Sequence, residues 1–276
     1  MESKSSQKNI SFGKINRFDF LMKHSIIDAE SEENVFNPHI HSGCEIYINV
    51  TGDVSFMVEG QLYNISPGDI IISRPFEYHN CIYNSNIPHE HYWILFGADG
   101  NEELLPAFFR RTAGSGNLIR LCPEKTAEMF SLVDRLMESD NQLGSYILFL
   151  SLINLLSGEY TEKTMHTHVP PDFAAILDMI NRNFTEPISI CELAKSFFIS
   201  TNTLERRFHE YLGVSPTKYI NEKRMALAFQ LLEHGEKVSD VSSQCGFSDI
   251  SLFIRKFKAE YGLTPNKYKK KVYRQK

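Results

Sequence analysis

The 276-residue chain lacks what would place it in a membrane or hold it together with disulfides. Its most apolar stretch, 147–156, runs for about ten residues and is interrupted by Ser151 and Asn154. A membrane span needs roughly 20 apolar residues, so a transmembrane helix is excluded. Residues 1–9 are polar and have no apolar core of the kind a secretory signal carries. Cysteine is scarce: five residues, at 44, 81, 122, 191 and 245, odd in number and with no Cys-x-x-Cys pair. That pattern argues against a disulfide scaffold or a thiolate zinc site and fits a cytoplasmic protein. A nucleotide-binding glycine loop, a Ser/His/Asp order and an activated-cysteine pattern are all missing, so the reading is not an enzyme, with no cofactor expected.

What is present is an ordinary globular composition, 42% hydrophobic and 23% charged, on a chain long enough for two domains. The net charge of −5 divides unevenly. From Asp172 onward there are 17 Lys+Arg against 12 Asp+Glu, whereas residues 1–171 have 12 against 22. An acidic module is thus joined to a basic one, and the asymmetry points to nucleic-acid contact by the basic part.

Residues 10–100 alternate in short runs rich in β-branched and aromatic residues, at 45–50, 54–58, 61–65, 69–73 and 92–96. Turn signals Glu59-Gly60, Ser66-Pro67-Gly68 and Arg74-Pro75 lie between them, a pattern that predicts an antiparallel barrel or sandwich. From Pro123 the period becomes helical, with a stripe of Met129, Leu132, Val133 and Leu136. The next segment, 143–160, is apolar nearly all round and is expected to be buried against the barrel, a second copy of the chain, or both. Residues 161–171 are polar and end in two prolines, as a linker would. Domains are therefore expected over 1–160 and 172–276.

The basic third repeats itself. Residues 204–220 (LERRFHEYLGVSPTKYI) align without gaps on 253–269 (FIRKFKAEYGLTPNKYK), at an offset of 49. Ahead of each lies a short helix and a turn, at 188–200 and 237–248. Ser189 and Glu192 form a capping box, Ser200 is a cap for the next helix, and Gly213 is its stop. Ser215-Pro216 and Thr264-Pro265 each put a capping hydroxyl before a proline at the first helical position. Short helix, tight turn and longer helix make a helix-turn-helix, whose second helix enters the DNA major groove.

Burying Leu204 and Phe208 turns Asn202, Glu205, Arg206 and His209 outward; burying Phe253 and Phe257 does the same for Ser251, Ile254, Arg255 and Lys258. Arginine can grip guanine, asparagine adenine, and an outward isoleucine can meet a thymine methyl. With Thr203 and Ile250 at the helix starts, these are the candidate DNA contacts. The terminal Lys267, Lys269, Lys270, Lys271, Arg274 and Lys276 would meet phosphate without reading sequence.

Residues 173–271 resemble the DNA-binding domain of AraC/XylS-type bacterial transcription regulators. The resemblance rests on Leu193-Ala194, Arg224-Met225-x-x-Ala228-x-x-Leu231-Leu232, Gly246-Phe247-Ser248-Asp249, Phe253-x-x-x-Phe257 and Gly262-x-Thr264-Pro265. Ser242 and Phe198 depart from it, standing where that family usually has alanine and a smaller residue. In the N-terminal part, His39-x-His41-x3-Glu45-x6-Gly52, Pro67-Gly68-Asp69 and His79 resemble the paired motifs of cupin barrels. The segment 75–79 is shorter than in that pattern and lacks its glycine. The resemblance implies an α+β, two-domain chain: a cupin-like antiparallel β-barrel with accessory helices, then an all-α domain with two helix-turn-helix motifs joined by a linker helix. It also implies promoter DNA, a small polar effector such as a sugar, a homodimer and RNA polymerase as partners.

Three readings of His39, His41, Glu45 and His79 remain open: an effector pocket completed by Trp93, structural histidines, or ligands of a divalent metal. His89, His91, His166 and His168 stand in loop-like context and receive no role. The rival function is a metal-dependent cupin enzyme fused to a DNA-binding domain.

Overall fold

A computed structural model describes residues 19–27, 38–85, 87–98, 100–157 and 170–273. Of the expected linker, residues 161–169 lie outside the described residues, as do His166 and His168. The strands are β1 (Phe20–Ile27), β2 (Cys44–Thr51), β3 (Val54–Val58), β4 (Gln61–Ile65), β5 (Ile70–Ser73), β6 (His79–Tyr83), β7 (His89–Phe96) and β8 (Leu118–Ile119). They form an antiparallel five-stranded sheet, in the order β1-β7-β2-β5-β8, and a three-stranded sheet, β4-β3-β6.

Period two explains how one strand serves two cores. On β2, Ile46 and Ile48 face a cluster completed by Phe96, Phe149 and Leu152, while Tyr47 faces the barrel interior with Phe56 and Cys81. The β3–β4 turn is Glu59-Gly60, with both φ values positive (49° and 78°), the two-residue hairpin geometry that matches strand twist. Glycine accepts that conformation freely; Glu59 must be held in it.

A four-residue helix, α1 (Pro106–Phe109), precedes α2 (Pro123–Glu138) and α3 (Gln142–Ser157), which pack on the outside of the larger sheet. The predicted stripe of α2 is the buried one: Met129, Leu132, Val133 and Leu136. On α3 the barrel takes Phe149, Leu152, Ile153 and Leu156, leaving Leu143 (70% exposed) and Ile147 (55%) outward. Residues 158–160, expected to extend this helix, lie outside the described residues.

The C-terminal domain is all helix: α4 (Pro171–Asn183), α5 (Ile190–Ser196), α6 (Thr201–Leu212), α7 (Pro216–Glu233), α8 (Val238–Gln244), α9 (Ile250–Tyr261) and α10 (Pro265–Tyr273). The caps act as the sequence predicts. Ser189, Ser200 and Ser215 accept from the backbone N–H three residues on, and Gly213 and Gly262 end α6 and α9 at φ of 70° and 71°. Helix α7, 18 residues or about 27 Å, joins the two helix-turn-helix units. Arg224 on α7 ties them together, donating to Phe184 O (2.6 Å) and Glu186 O (2.7 Å) and lying over the Phe247 ring. Gly246 is required beside it, because a Cβ there would stand 2.3 Å from Thr185 O. Ser242, the smaller departure, is buried with its hydroxyl unpartnered among the described residues.

Candidate functional site

Candidate functional residues gather in three places: the outer faces of α6 and α9, the barrel interior, and the joint between the domains. On α6, Asn202, Arg206 and His209 are exposed, and Thr203 and Glu205 are half-buried. Thr203 serves the cap as well, its N–H donating to Ser200 Oγ at 3.1 Å. Arg206 lies 3.5 Å from Glu210 with most of its side chain in water, so it is free to swing to another acceptor. On α9, Ile250, Ser251, Arg255 and Lys258 are exposed. Ile254 is not the outward isoleucine expected: it is half-buried and packs against the core of its own unit. Leu252 and Ile250 are the apolar groups that α9 presents to water. The helical wheel misplaced Ile254, which joins Tyr261 and Tyr268 as a partly buried member of that cluster.

In the barrel, strand pairing assembles the four residues that the sequence pattern placed apart. The β3–β6 register sets Val58 opposite His79, and a backbone bridge joins His39 N–H to His79 O and the reverse, both at 3.0 Å. One ligating atom each from His39, His41, Glu45 and His79 lies within 4.8 Å of the others. His41 Nε2 and His79 Nε2 stand 2.9 and 3.5 Å from Glu45 Oε2. Burial works to raise the Glu45 carboxyl, but the charges and hydrogen bonds of His79 and His41 prevail and hold it well below the usual carboxylate range. Burial likewise opposes protonation of His79, and Glu45 overcomes it, raising His79. The short 75–79 segment is made rigid by Glu77, which Arg111 grips with two bonds of 2.6 and 2.7 Å.

A cavity of about 300 Å³ opens beside this cluster. His39, Glu45 and Trp93 line it as expected; His41 and His79 do not. Lys23, Ser25, Ile27, Tyr47, Phe56, Cys81 and His91 complete the lining. His91 had no assigned role, and the loop reading of His89 and His91 is corrected here: both are buried on β7, His91 Nδ1 lying 3.1 Å from His89 Nε2. Burial, with His89 beside it, lowers the His91 imidazole to about 4, so it enters the cavity neutral. Alternation through His89, His91 and Trp93 was the available signal.

The joint between domains is built on Glu59. Its side chain reaches from the β3–β4 turn into the helical domain, where it accepts from Lys223 Nζ (2.7 Å), Asn181 Nδ2 (3.0 Å) and Tyr219 OH. Tyr78 N–H donates to it from the barrel side at 2.8 Å. Lys223, 2% exposed, also donates to Phe76 O at 2.6 Å. Sequence reasoning treated Glu59-Gly60 only as a turn and gave Lys223 no role, since nothing local marks a contact between residues so far apart in the chain.

Comparison with known proteins matches a different family to each of the two domains. Residues 23–145 match the family described as "AraC-like ligand binding domain", and residues 193–271 the family described as "Helix-turn-helix domain". The HTH-type transcriptional activator RhaS of Mannheimia succiniciproducens is 24% identical over 254 residues, covering 87% of this chain and 91% of its own. The lactose operon transcription activator of Staphylococcus xylosus is 26% identical over 245 residues, covering 85% and 86%. A crystal structure of unsaturated fatty acid-bound ToxT from Vibrio cholerae shares 14% identity over 94% of this chain and 97% of its own, at a TM-score of 0.40.

Proposed function

Because the chain belongs to the AraC-type transcription regulators, with a ligand-binding barrel ahead of a helix-turn-helix domain, we propose that α6 and α9 read two successive major grooves of promoter DNA while the barrel senses a small polar molecule. The observation that carries this reading is the duplicated, capped helix pair at one offset, each member showing an exposed arginine, Arg206 or Arg255, on its outer face. A helix of about 27 Å between the units suits groove centres about 34 Å apart on one face of the duplex. The effector enters the 300 Å³ cavity, where the Trp93 ring stacks on it and Lys23, His39, Glu45 and His91 fix its polar groups.

The chain works in the cytoplasm as a homodimer, acts without catalysis, and meets RNA polymerase at the promoter. The dimer contact is the outward face of α3 at Leu143 and Ile147; Leu152 belongs to the barrel core. Ile147→Glu is therefore expected to give a folded monomer by sedimentation.

Binding of the purified chain to promoter fragments, found by genome-wide mapping of the tagged protein, tests the reading. Affinity is expected to fall steeply with salt as phosphate counterions are released. Binding that ignores salt, or no binding at all, refutes DNA regulation.

A further inference from the structure

The barrel cavity holds hydrogen-bond donors that have no acceptor. Three of its lining residues stand abreast on neighbouring strands: Lys23 of β1 is opposite Trp93 of β7, and Trp93 is opposite Tyr47 of β2. The Lys23 ammonium lies 5.9 Å from the centre of the Trp93 ring and has no carboxylate within ion-pair distance among the described residues. On the other side of Trp93, Tyr47 is 4% exposed, and its hydroxyl oxygen accepts from the Cys81 thiol at 3.8 Å. Burial, with Cys81 beside it, pushes this phenol far above its ordinary range, so it keeps its proton. That proton has no acceptor among the described residues.

The acidic side chain in the lining does not offset these donors. Glu45 Oε2 already faces His41 Nε2 at 2.9 Å and His79 Nε2 at 3.5 Å. An ammonium has three donors and no acceptor, and a phenol whose oxygen is accepting has one proton left to give. Neutral hydroxyls would meet them with protons that need acceptors of their own. A carboxylate or phosphate oxygen only accepts, supplies the charge that Lys23 lacks opposite it, and makes the stronger bond.

We propose that the effector is a ring-shaped organic anion whose ring lies on Trp93 and whose acidic group spans Lys23 and Tyr47. This deepens the effector-pocket reading and rests on it. Phe56 and Ile27 give the cavity an apolar wall, and about 300 Å³ is at the small end for ligand sites, so one ring with one charged group suits it.

Trp93 is the chain's single tryptophan, so its emission reports occupancy of the cavity. The full chain is titrated at constant ionic strength with matched pairs that differ in one group: D-glucose and D-glucuronate, D-galactose and D-galacturonate, cyclohexanemethanol and cyclohexanecarboxylate. D-glucose 6-phosphate is the phosphate member. At least one anion is expected to change the emission saturably and to bind about tenfold or more tightly than its neutral partner. The carboxylate and phosphate members show which acidic group the site takes. Lys23→Gln should abolish that preference while Lys23→Arg keeps it; Lys23 is exposed, and an unchanged circular-dichroism spectrum certifies the fold of both variants. Tyr47→Phe, which keeps the ring, should weaken the anion about threefold or more and the neutral partner less. Neutral partners that bind as tightly as the anions, or an anion preference that survives Lys23→Gln, overturn the proposal and leave a small-molecule pocket standing. Emission that no member of the panel changes overturns both.

Discussion

The first helix-turn-helix unit shares its core with the barrel, whereas the second closes on itself. Phe173, Leu204 and Phe208 lie in one cluster with Met57 and Tyr78, two barrel residues; Val241, Phe253 and Phe257 lie in another that contains none. The ground plan of both is nonetheless the same, α9 and α10 following α6 and α7 at the offset of 49 read from the repeat. Duplication thus supplied two reading heads, and the surroundings made them unequal. The barrel holds the first head and the linker helix, and the second rides on α7 through Arg224 and Phe247. On the proposed function, a signal from the barrel acts on the geometry between the heads.

The joint at Glu59 is where that asymmetry can be broken. Replacing Glu59 with Ala leaves Lys223 buried, with the Phe76 carbonyl and the Tyr219 ring as its remaining partners among the described residues. Removing one partner of a buried ion pair costs about 3–5 kcal/mol, expected here as loosened domain docking and a calorimetric transition that splits in two. The same test on the second head has a small outcome: Arg255 is exposed, so Arg255→Ala should alter stability by no more than about 0.5 kcal/mol. Equal losses at the two positions would erase the distinction.

Glu222 distinguishes the two faces of the linker helix. Whereas Lys223 meets the barrel, Glu222 lies with Lys256, Ala259 and Glu260 of the second unit. Burial, aided by Glu260 and opposed by Lys218 at 3.6 Å, pushes its carboxyl up to about 7. Folding therefore favours the protonated form. The stability this gives is complete below pH 4.5 and lost as pH rises through about 7. Glu222→Gln should raise stability by about 1–2 kcal/mol at pH 8, after allowance for solvent screening, and by little at pH 4.5. Urea midpoints at the two pH values measure it, and a gain independent of pH would contradict the assignment.

The smallest effect concerns the turns. Phe198 in the first unit holds φ at 55° while 97% exposed; its counterpart in the second is Gly246, at 77°. Phe198→Gly should add about 0.5–1 kcal/mol, the relief of a left-handed side chain less the glycine's entropy. An unfolding midpoint that falls would show that Phe198 makes a contact worth more than its strain.

Much of this was legible in sequence where the cause is local. Serine caps, glycine stops and the hairpin turn fixed α6, β3, β4 and the start of α7 to within a residue, because each signal lies within a few residues of what it begins or ends. The His39, His41, Glu45 and His79 cluster was legible as residue types, but its assembly depends on the Val58–His79 register, which no local pattern specifies. Helix α3 is apolar on all sides, so periodicity could not say which leucines meet the barrel. Ile254 was misplaced because its burial depends on tertiary packing that a helical wheel does not carry, and Glu59 was overlooked because its partners in the helical domain are more than a hundred residues away.

The most direct test of the two-headed account is base-resolved binding by wild type, Arg206→Ala and Arg255→Ala on a mapped promoter fragment carrying every single base-pair change. Each variant is expected to lose about 1–3 kcal/mol of discrimination at its own position, the two lying about one helical turn apart. Uniform weakening across all fragments, with discrimination intact in both variants, would show that these helices touch phosphate alone and contradict the account.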